Sequence, residues 1–292
     1  MEYRLLGSSG LEVSVLSFGT MTLGGEGRFA AMGNVQVDEA RRLLDLCFEA
    51  GVNVVDTADI YSFGKSEEVL GRALGPLRKD ILLATKVFNR LGPGPNQAGL
   101  SRRHIIEACE DSLRRLGTDY LDLYQSHSFD AFTPLDETLR AYDDLIRAGK
   151  VRYIGCSNYS GWHLMKAAAL SAAAGLPRYV SQQINYSLLA RDAECELIPA
   201  GLDQKIGVMA WSPLQAGLLS GKFRRGAAPP AESRLNTLDL PGAIDFDRLY
   251  ATVDVLDEIA RQRGVSVAQV ALNWVMRKPG VDTVVIGARN EA

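Results

Sequence analysis

A repeated cadence constrains this chain more than any other feature: short, β-rich apolar runs alternate with stretches of helical period. The runs fall at 15–18, 53–56, 81–86, 121–125, 151–156, 180–184, 206–211 and 283–286. Residues of both parities in these runs are mostly apolar, as in parallel strands covered on two faces. Between them, 38–49 sets Ala40, Leu43, Leu44, Cys47 and Phe48 on one helical stripe. The stretch 101–116 opens on Ser101 and stops before Gly117, and 135–148 stops before Gly149, the usual start and stop signals of helices. Eight strand–helix units are the number that closes a barrel. A doubly wound two-domain fold would show the same alternation, but no Pro/Gly/Ser-rich linker divides the chain near its middle. The expectation is therefore an α/β fold, a (β/α)8 TIM barrel forming one domain over 1–292. Two short apolar runs around Gly7-Ser8-Ser9-Gly10 predict an N-terminal β-hairpin ahead of it. Gly/Pro-rich segments at 91–100 and 226–245 read as long loops, the usual place of lids. The alanine-rich 165–175 reads as helix.

Composition narrows the function classes. The 292 residues are 47% hydrophobic and 23% charged with a formal net charge of -3, which predicts a soluble globular protein with a sizeable core. The charge is dispersed and no basic block occurs, so neither nucleic acid nor an anionic membrane is an expected partner. Cys47, Cys109, Cys156 and Cys195 form no Cys-x-x-Cys pair and read as reduced thiols. The opening residues lack a signal peptide's apolar stretch and no run approaches a membrane span. The expected location is the cytoplasm.

Several familiar chemistries fail on spacing. Gly217 to Lys222 is one residue short of a phosphate loop and continues with Phe223. No Gly-x-Gly-x-x-Gly follows the first strand. His104, His127 and His163 are too dispersed for a zinc motif, so no metal is expected. Gly155-Cys156-Ser157-Asn158-Tyr159 breaks the serine nucleophile elbow at its last position.

What remains is a set of polar residues at the predicted C-terminal strand ends, where barrel active sites lie. In order these are Asp56, Lys86, His127, Ser157-Asn158, Gln183, Trp211-Ser212 and Gly287 to Arg289, with Tyr61 five residues after Asp56. Singly each has a plain structural explanation, Asp56 as a turn residue and His127 as a satisfied core histidine. Together they form a constellation at one barrel mouth.

The runs that carry them are Gly51 to Tyr61, Ala84-Thr85-Lys86, Leu123-Tyr124-Gln125-Ser126-His127, Gly155 to Asn158, Gln183 to Tyr186 and Ala210 to Leu214. In order and spacing they resemble the aldo-keto reductase family from the hairpin to the last residues. The resemblance implies an NADP(H)-dependent oxidoreductase that interconverts an aldehyde or ketone and an alcohol, with a catalytic tetrad of Asp56, Tyr61, Lys86 and His127. It implies that Ser157, Asn158 and Gln183 hold the nicotinamide carboxamide and that Trp211 stacks on the ring. It further implies that Leu214, Gly217, Ser220 and Lys222 line the pyrophosphate and that Arg289 meets the adenosine phosphate. Gly19, Thr20, Met21, Ser212, Pro213 and Gly287 are expected against the cofactor as well. An arginine fork suits phosphate, which favours NADPH over NADH.

The chemistry supports these residue types independently. Carbonyl reduction leaves an alkoxide that needs a proton, and tyrosine, with an ordinary pKa of about 10, is a weak donor. An ammonium about 4 Å away contributes roughly 4 kcal/mol at an effective dielectric near 20, about three pKa units, which would bring Tyr61 near physiological pH. Asp56 would keep Lys86 charged, and His127 would donate a hydrogen bond to the carbonyl oxygen. Phe88, Asn89 and Phe129, with Phe29, Met32 and Phe132, are expected to wall a substrate pocket for a bulky or aromatic small-molecule carbonyl. A Schiff-base role for Lys86 would need a neutral amine, against which Asp56 argues. Potassium-channel β subunits resemble the same family and act mainly as regulatory modules, so a cofactor-binding or redox-sensing module with little turnover is the alternative. The substrate, the reaction direction and the oligomeric state are not encoded in these motifs. After Ile286 only six residues follow. The resemblance implies a further helix there, holding the adenosine end and covering the eighth strand, so the natural chain is expected to be longer.

Overall fold

The computed structural model describes residues 1–227 and 244–291; most of the 226–245 loop therefore lies outside the described residues. The barrel strands are β3 (Leu16–Gly19), β4 (Val54–Asp56), β5 (Leu82–Val87), β6 (Leu121–Ser126), β7 (Val151–Ser157), β8 (Tyr179–Asn185), β9 (Gly207–Trp211) and β10 (Val281–Ile286). Every neighbouring pair is parallel and β10 closes on β3. The helices are α1 (Val37–Glu49), α2 (Lys65–Leu74), α3 (Arg102–Leu116), α4 (Leu135–Arg147), α5 (Gly161–Ala174), α6 (Leu197–Gln204), α7 (Phe246–Arg263) and α8 (Val267–Met276). The fold is the (β/α)8 barrel that the cadence predicts.

The helix signals act as read. The Ser101 side chain accepts from the His104 backbone N–H, and α3 ends on Gly117 in the left-handed conformation, φ 63°. The alanine-rich stretch lies within α5. On the outer face of β10, Val281 and Val284 are buried in a cluster with Ile184, Ala210 and Val275 of α8. No helix among the described residues is long and apolar enough to cross a membrane.

Strand parity divides the interior. One parity, including Val55, Leu83, Tyr124 and Ile154, packs outward beneath the helices. The other points into the barrel, where Val54, Ala84, Leu123 and Met209 meet Leu6 and Val13. Those last two belong to β1 (Tyr3–Leu5), the turn after it and β2 (Glu12–Ser14), an antiparallel hairpin. The hairpin plugs the N-terminal end of the barrel and leaves the other end for chemistry.

The plug is fastened by Asp282, which accepts from the Gly7 backbone N–H at 2.8 Å. Gly7 has φ +56°, and a Cβ there would come 2.4 Å from the Val180 carbonyl oxygen, so only glycine fits this approach. Burial pushes the Asp282 carboxyl up to about 6, against the opposing pull of the Gly7 N–H and Arg4. An acid whose folded pKa exceeds its unfolded value binds protons better in the native state. Its ionisation therefore removes stability as pH rises from about 4 to about 6. Asp282→Asn keeps an acceptor for Gly7 without that charge. Its Tm at pH 8 should exceed that of the unsubstituted protein by roughly 2–6 °C, with the difference vanishing near pH 4. An equal or lower Tm at pH 8 would refute the assignment.

Candidate active site

The inward parity turns polar toward the C-terminal ends. Registers set Gly19 against Asp56, Lys86 against Gln125 and Ser157 against Gln183, so residues distant in sequence form one ring. The interior is tight there: a Cβ at Gly155 would lie 2.4 Å from Ser181 Oγ and 3.2 Å from Gln125 Cγ. Gly155 is the gap into which the Gln125 side chain fits.

At the centre, Lys86 Nζ donates to Asp56 Oδ2 at 2.6 Å and to the Thr57 carbonyl at 2.8 Å. Lys86 is fully buried and Asp56 nearly so. Asp56 Oδ1 accepts from Gln183 Nε2 at 2.8 Å and Gln125 Nε2 at 3.2 Å. Burial acts to lower the Lys86 pKa, but Asp56 and then Tyr61 outweigh it and hold the ammonium above its ordinary value. A neutral nucleophilic lysine does not fit this environment.

Tyr61 opens a short turn after β4 and is followed by two left-handed residues, Ser62 (φ 49°) and Phe63 (φ 53°). Its backbone N–H donates to the Ala58 carbonyl at 3.1 Å, and Ser62 Oγ ties the turn to the Leu23 carbonyl at 2.9 Å. This kink folds the phenol back until its oxygen stands 3.4 Å from Lys86 Nζ. The lysine sits close enough for the expected effect, yet the Tyr61 pKa is raised and not lowered. Burial is the largest cause and the Asp56 charge adds to it, while Lys86 offsets only part. The expectation of a near-physiological phenol is thus corrected: it counted the ammonium but neither its counter-ion nor the loss of water.

His127, just past β6, meets Tyr61 edge-on with ring centroids 5.8 Å apart. Burial, then the charges of Lys86 and Arg28, push its pKa down to about 3, so the imidazole is neutral. Asn89 Nδ2 lies 3.2 Å from its Nδ1. Asn158, with φ 55°, donates from Nδ2 to the His127 carbonyl at 2.9 Å, and Ser157 Oγ donates to the Gln183 carbonyl at 2.9 Å. Trp211 ends β9 beside Asn185, and both Trp211 Nε1 and Asn185 Oδ1 are buried without a partner.

The outer residues are less uniform. After β9, Ser212 is left-handed (φ 55°), and beyond buried Pro213 and half-buried Leu214 the backbone is left-handed again at Gln215 (φ 47°), Ala216 (φ 54°) and Gly217 (φ 95°). Ser220 Oγ donates to the Gly217 carbonyl at 2.6 Å, and Lys222 is exposed. Thr20 is fully buried and its hydroxyl accepts from Ser66 at 3.1 Å, whereas the Met21 side chain is exposed. Gly287 passes close to Gly19, where a Cβ would meet the Gly19 carbonyl at 3.1 Å. Arg289 donates to the carbonyls of Met32 at 3.0 Å and Ala31 at 3.3 Å. Phe29 packs on Tyr61 with centroids 6.0 Å apart, joined by Met32. Phe88 packs against the outer core. Phe129 stacks on His163 at 3.5 Å and abuts Trp162. Phe132 is 98% exposed and walls nothing. A cleft of about 450 Å3 opens beside Asn158, between the loops after β7 and β8.

Sequence reasoning gave no role to Gln125, Asp59 or Glu67. Gln125 was recoverable, since it shares parity with Leu123 and His127. Asp59 and Glu67 carried no such signal. Glu67 is fully buried, accepting from Thr85 Oγ1 at 2.6 Å and pairing with Arg115 at 2.7 Å. Asp59 is fully buried, and neither carboxylate oxygen has a well-formed partner. Burial and then the Glu67 charge push its carboxyl far upward. Among the described residues no group of three or more His, Cys, Asp or Glu side chains is placed to hold a metal ion.

Comparison with known proteins places this barrel in a family. The model of the aldo/keto reductase family matches residues 15–292. A probable voltage-gated potassium channel subunit beta from Arabidopsis thaliana is 39% identical, covering 100% of this chain and 88% of that protein. The uncharacterised oxidoreductase YrpG of Bacillus subtilis is 39% identical, covering 99% of this chain and 87% of its own length. Versiconal hemiacetal acetate reductase of Aspergillus parasiticus is 34% identical over 96% of this chain and 86% of that protein. The chain belongs to the aldo/keto reductase family.

The buried pair should dominate the energetics of the mouth. Lys86→Met strands the Asp56 carboxylate and should cost about 3–5 kcal/mol, the usual penalty for removing one partner of a buried ion pair. Adding Asp56→Asn to it should restore part of that loss in urea denaturation. Strictly additive costs would show that the two charges are not energetically coupled.

Proposed function

We propose that this protein is an NADP(H)-dependent carbonyl reductase in which Tyr61 donates the proton. The observation that carries the reading is the buried Asp56–Lys86–Tyr61 chain opening on neutral His127. A nicotinamide fits the remaining valences. The amide donor of Gln183 goes to Asp56, and the Asn158 amide and the Ser157 hydroxyl donate to backbone carbonyls. That leaves acceptor oxygens on all three for the NH2 of a carboxamide, beside the Trp211 face. The left-handed turn Gln215-Ala216-Gly217, with Ser220 and Lys222, suits a pyrophosphate. Gly19, Thr20, Met21, Pro213, Leu214 and Gly287 belong to the same proposed cofactor surface. Exposed Arg289 supports NADPH over NADH.

A nicotinamide held there would supply the hydride that the carbonyl carbon takes up. The protein's residues manage the oxygen. His127 and Tyr61 polarise it with hydrogen bonds, and the Tyr61 proton passes to it as the alcohol forms. Lys86 stabilises the phenolate left behind, while Asp56 keeps Lys86 charged and fixed. Phe29, Phe88, Asn89 and Phe129 flank the approach and favour a small carbonyl compound with an apolar substituent. The unpaired state of all four cysteines supports a cytoplasmic setting.

Steady NADPH oxidation with a panel of simple aldehydes and ketones tests this. Many turnovers per protein chain are expected, whereas one turnover or none would favour a cofactor-bound regulatory module, the reading that the channel β-subunit relatives suggest. Tyr61→Phe should lower kcat by at least about 100-fold with cofactor affinity unchanged; near-normal turnover removes Tyr61 from the mechanism. Trp211→Ala should weaken cofactor binding by roughly 1–3 kcal/mol, the range of base–aromatic stacking, in fluorescence titration.

The raised Tyr61 pKa fixes a pH dependence. An acid with a raised pKa stays protonated to higher pH, so reduction should show no alkaline loss below pH about 10. Alcohol oxidation, which needs the phenolate, should still be rising there. A reduction rate falling through neutral pH would contradict this.

A further inference from the structure

We propose that Asn89 is a positioning residue that selects the tautomer of His127, holding the imidazole proton on Nε2, where it can meet a substrate oxygen. This rests on the carbonyl-reductase reading for its purpose but on geometry alone for its existence. Asn89 follows β5 by two residues and His127 follows β6 by one, so two adjacent strand ends bring their side chains together. Asn89 Nδ2 lies 3.2 Å from His127 Nδ1. An amide nitrogen has only protons to offer, so Nδ1 must present its lone pair. The ring is neutral and carries a single proton, which therefore sits on Nε2. The backbone holds the ring in place as well, through Asn158 Nδ2 on the His127 carbonyl. Lys86 from β5 and Arg28 from the loop after β3 are the charges that act on the imidazole, and Tyr61 faces it uncharged. Asp130, three residues on, is occupied by the Leu100 N–H and the Thr133 hydroxyl, each at 2.7 Å. Among the described residues no carboxylate acts on the ring, which leaves its tautomer to the Asn89 amide.

The assignment matters because the wrong tautomer is worse than no histidine. With the proton on Nδ1, Nε2 would turn a lone pair toward the carbonyl oxygen and repel the charge that develops there. Asn89→Asp creates that state on purpose. A carboxylate accepts from Nδ1–H and stabilises the imidazolium, so the His127 pKa rises. Below the raised pKa both nitrogens are protonated and Nε2–H is restored; above it Nε2 is bare. Activity of this variant should therefore climb as pH falls, a limb that the unsubstituted protein lacks.

The chain has three histidines, so 15N-histidine NMR resolves the question directly. His163 serves as an internal standard, because its Nδ1 accepts from the Ser160 backbone N–H at 3.2 Å and its proton must lie on Nε2. His127 should show the same Nε2–H pattern, and Asn89→Asp should convert it to Nδ1–H or imidazolium. With NADPH and nitrobenzaldehyde, Asn89→Asp should lose about 10–100-fold in kcat near pH 8, with much smaller changes in KM, and regain activity toward pH 5.5. Asn89→Leu, which removes the donor without reversing it, should lose only about 2–5-fold with no new pH limb. An Nδ1–H pattern for His127 in the unsubstituted protein overturns the proposal. So do Asp and Leu variants that behave alike at every pH. If the unsubstituted protein fails to turn over, the carbonyl-reductase reading falls while the NMR result still decides the tautomer. If Asn89→Asp does not fold, the unsubstituted spectrum and Asn89→Leu decide it.

Discussion

An ammonium group sealed from water inside a barrel survives only if a counter-charge is held against it, and the Lys86–Asp56 contact at 2.6 Å meets that condition. Much of the mouth is arranged around keeping this contact in register. Asp56 reaches it from β4 and Lys86 from β5, neighbours whose pairing sets Asp56 beside Ala84, two residues short of the lysine. Gln125 and Gln183 occupy the far oxygen of the carboxylate, which prevents Asp56 from rotating away. The Thr57 carbonyl takes a second ammonium proton. The pair is thus less a source of stability than a fixed electrical reference from which the phenol and the imidazole take their protonation.

That reference explains why three ionisable groups within one mouth behave so differently. Lys86 stays charged because its partner outweighs burial. His127 stays neutral because burial, and then the charges of Lys86 and Arg28, disfavour a second proton. Tyr61 stays protonated because burial and Asp56 together exceed what Lys86 gives back. Each outcome follows from which charge stands nearest once water is removed.

The barrel was legible because its signals are periodic and local. Strand parity, Ser101 and Gly117 each report on residues a few positions away, and the eight runs lie within one to two residues of the observed strands. The tetrad was legible as a set of strand ends, and the structure brings Asp56, Tyr61, Lys86 and His127 together. What could not be read depends on tertiary placement. The net direction of the Tyr61 shift needs the burial of the whole cluster. Asp59 and Glu67 belong to a loop and to α2, whose sequence reads as ordinary surface until Glu67 is buried against Thr85 of β5 and Arg115 of α3. Phe132 shows the opposite error, since an aromatic in a loop near the mouth need not face it. Among the residues expected against a cofactor, Arg289 could be read as a cation but not as one already bonded to the loop at Ala31 and Met32.

The polar ring of the mouth is largely saturated by the chain itself: Asn158, Ser157, Gln125 and Gln183 all direct their donors to other protein atoms. Side chains held this way have surrendered their rotational freedom during folding, not on meeting a ligand. The ring is therefore shaped before any ligand arrives, and its ordering cost is met by the fold itself. Substitutions in the loops beyond the strands can then reshape the surface around the mouth while the ring, fixed by strand register, stays as it is.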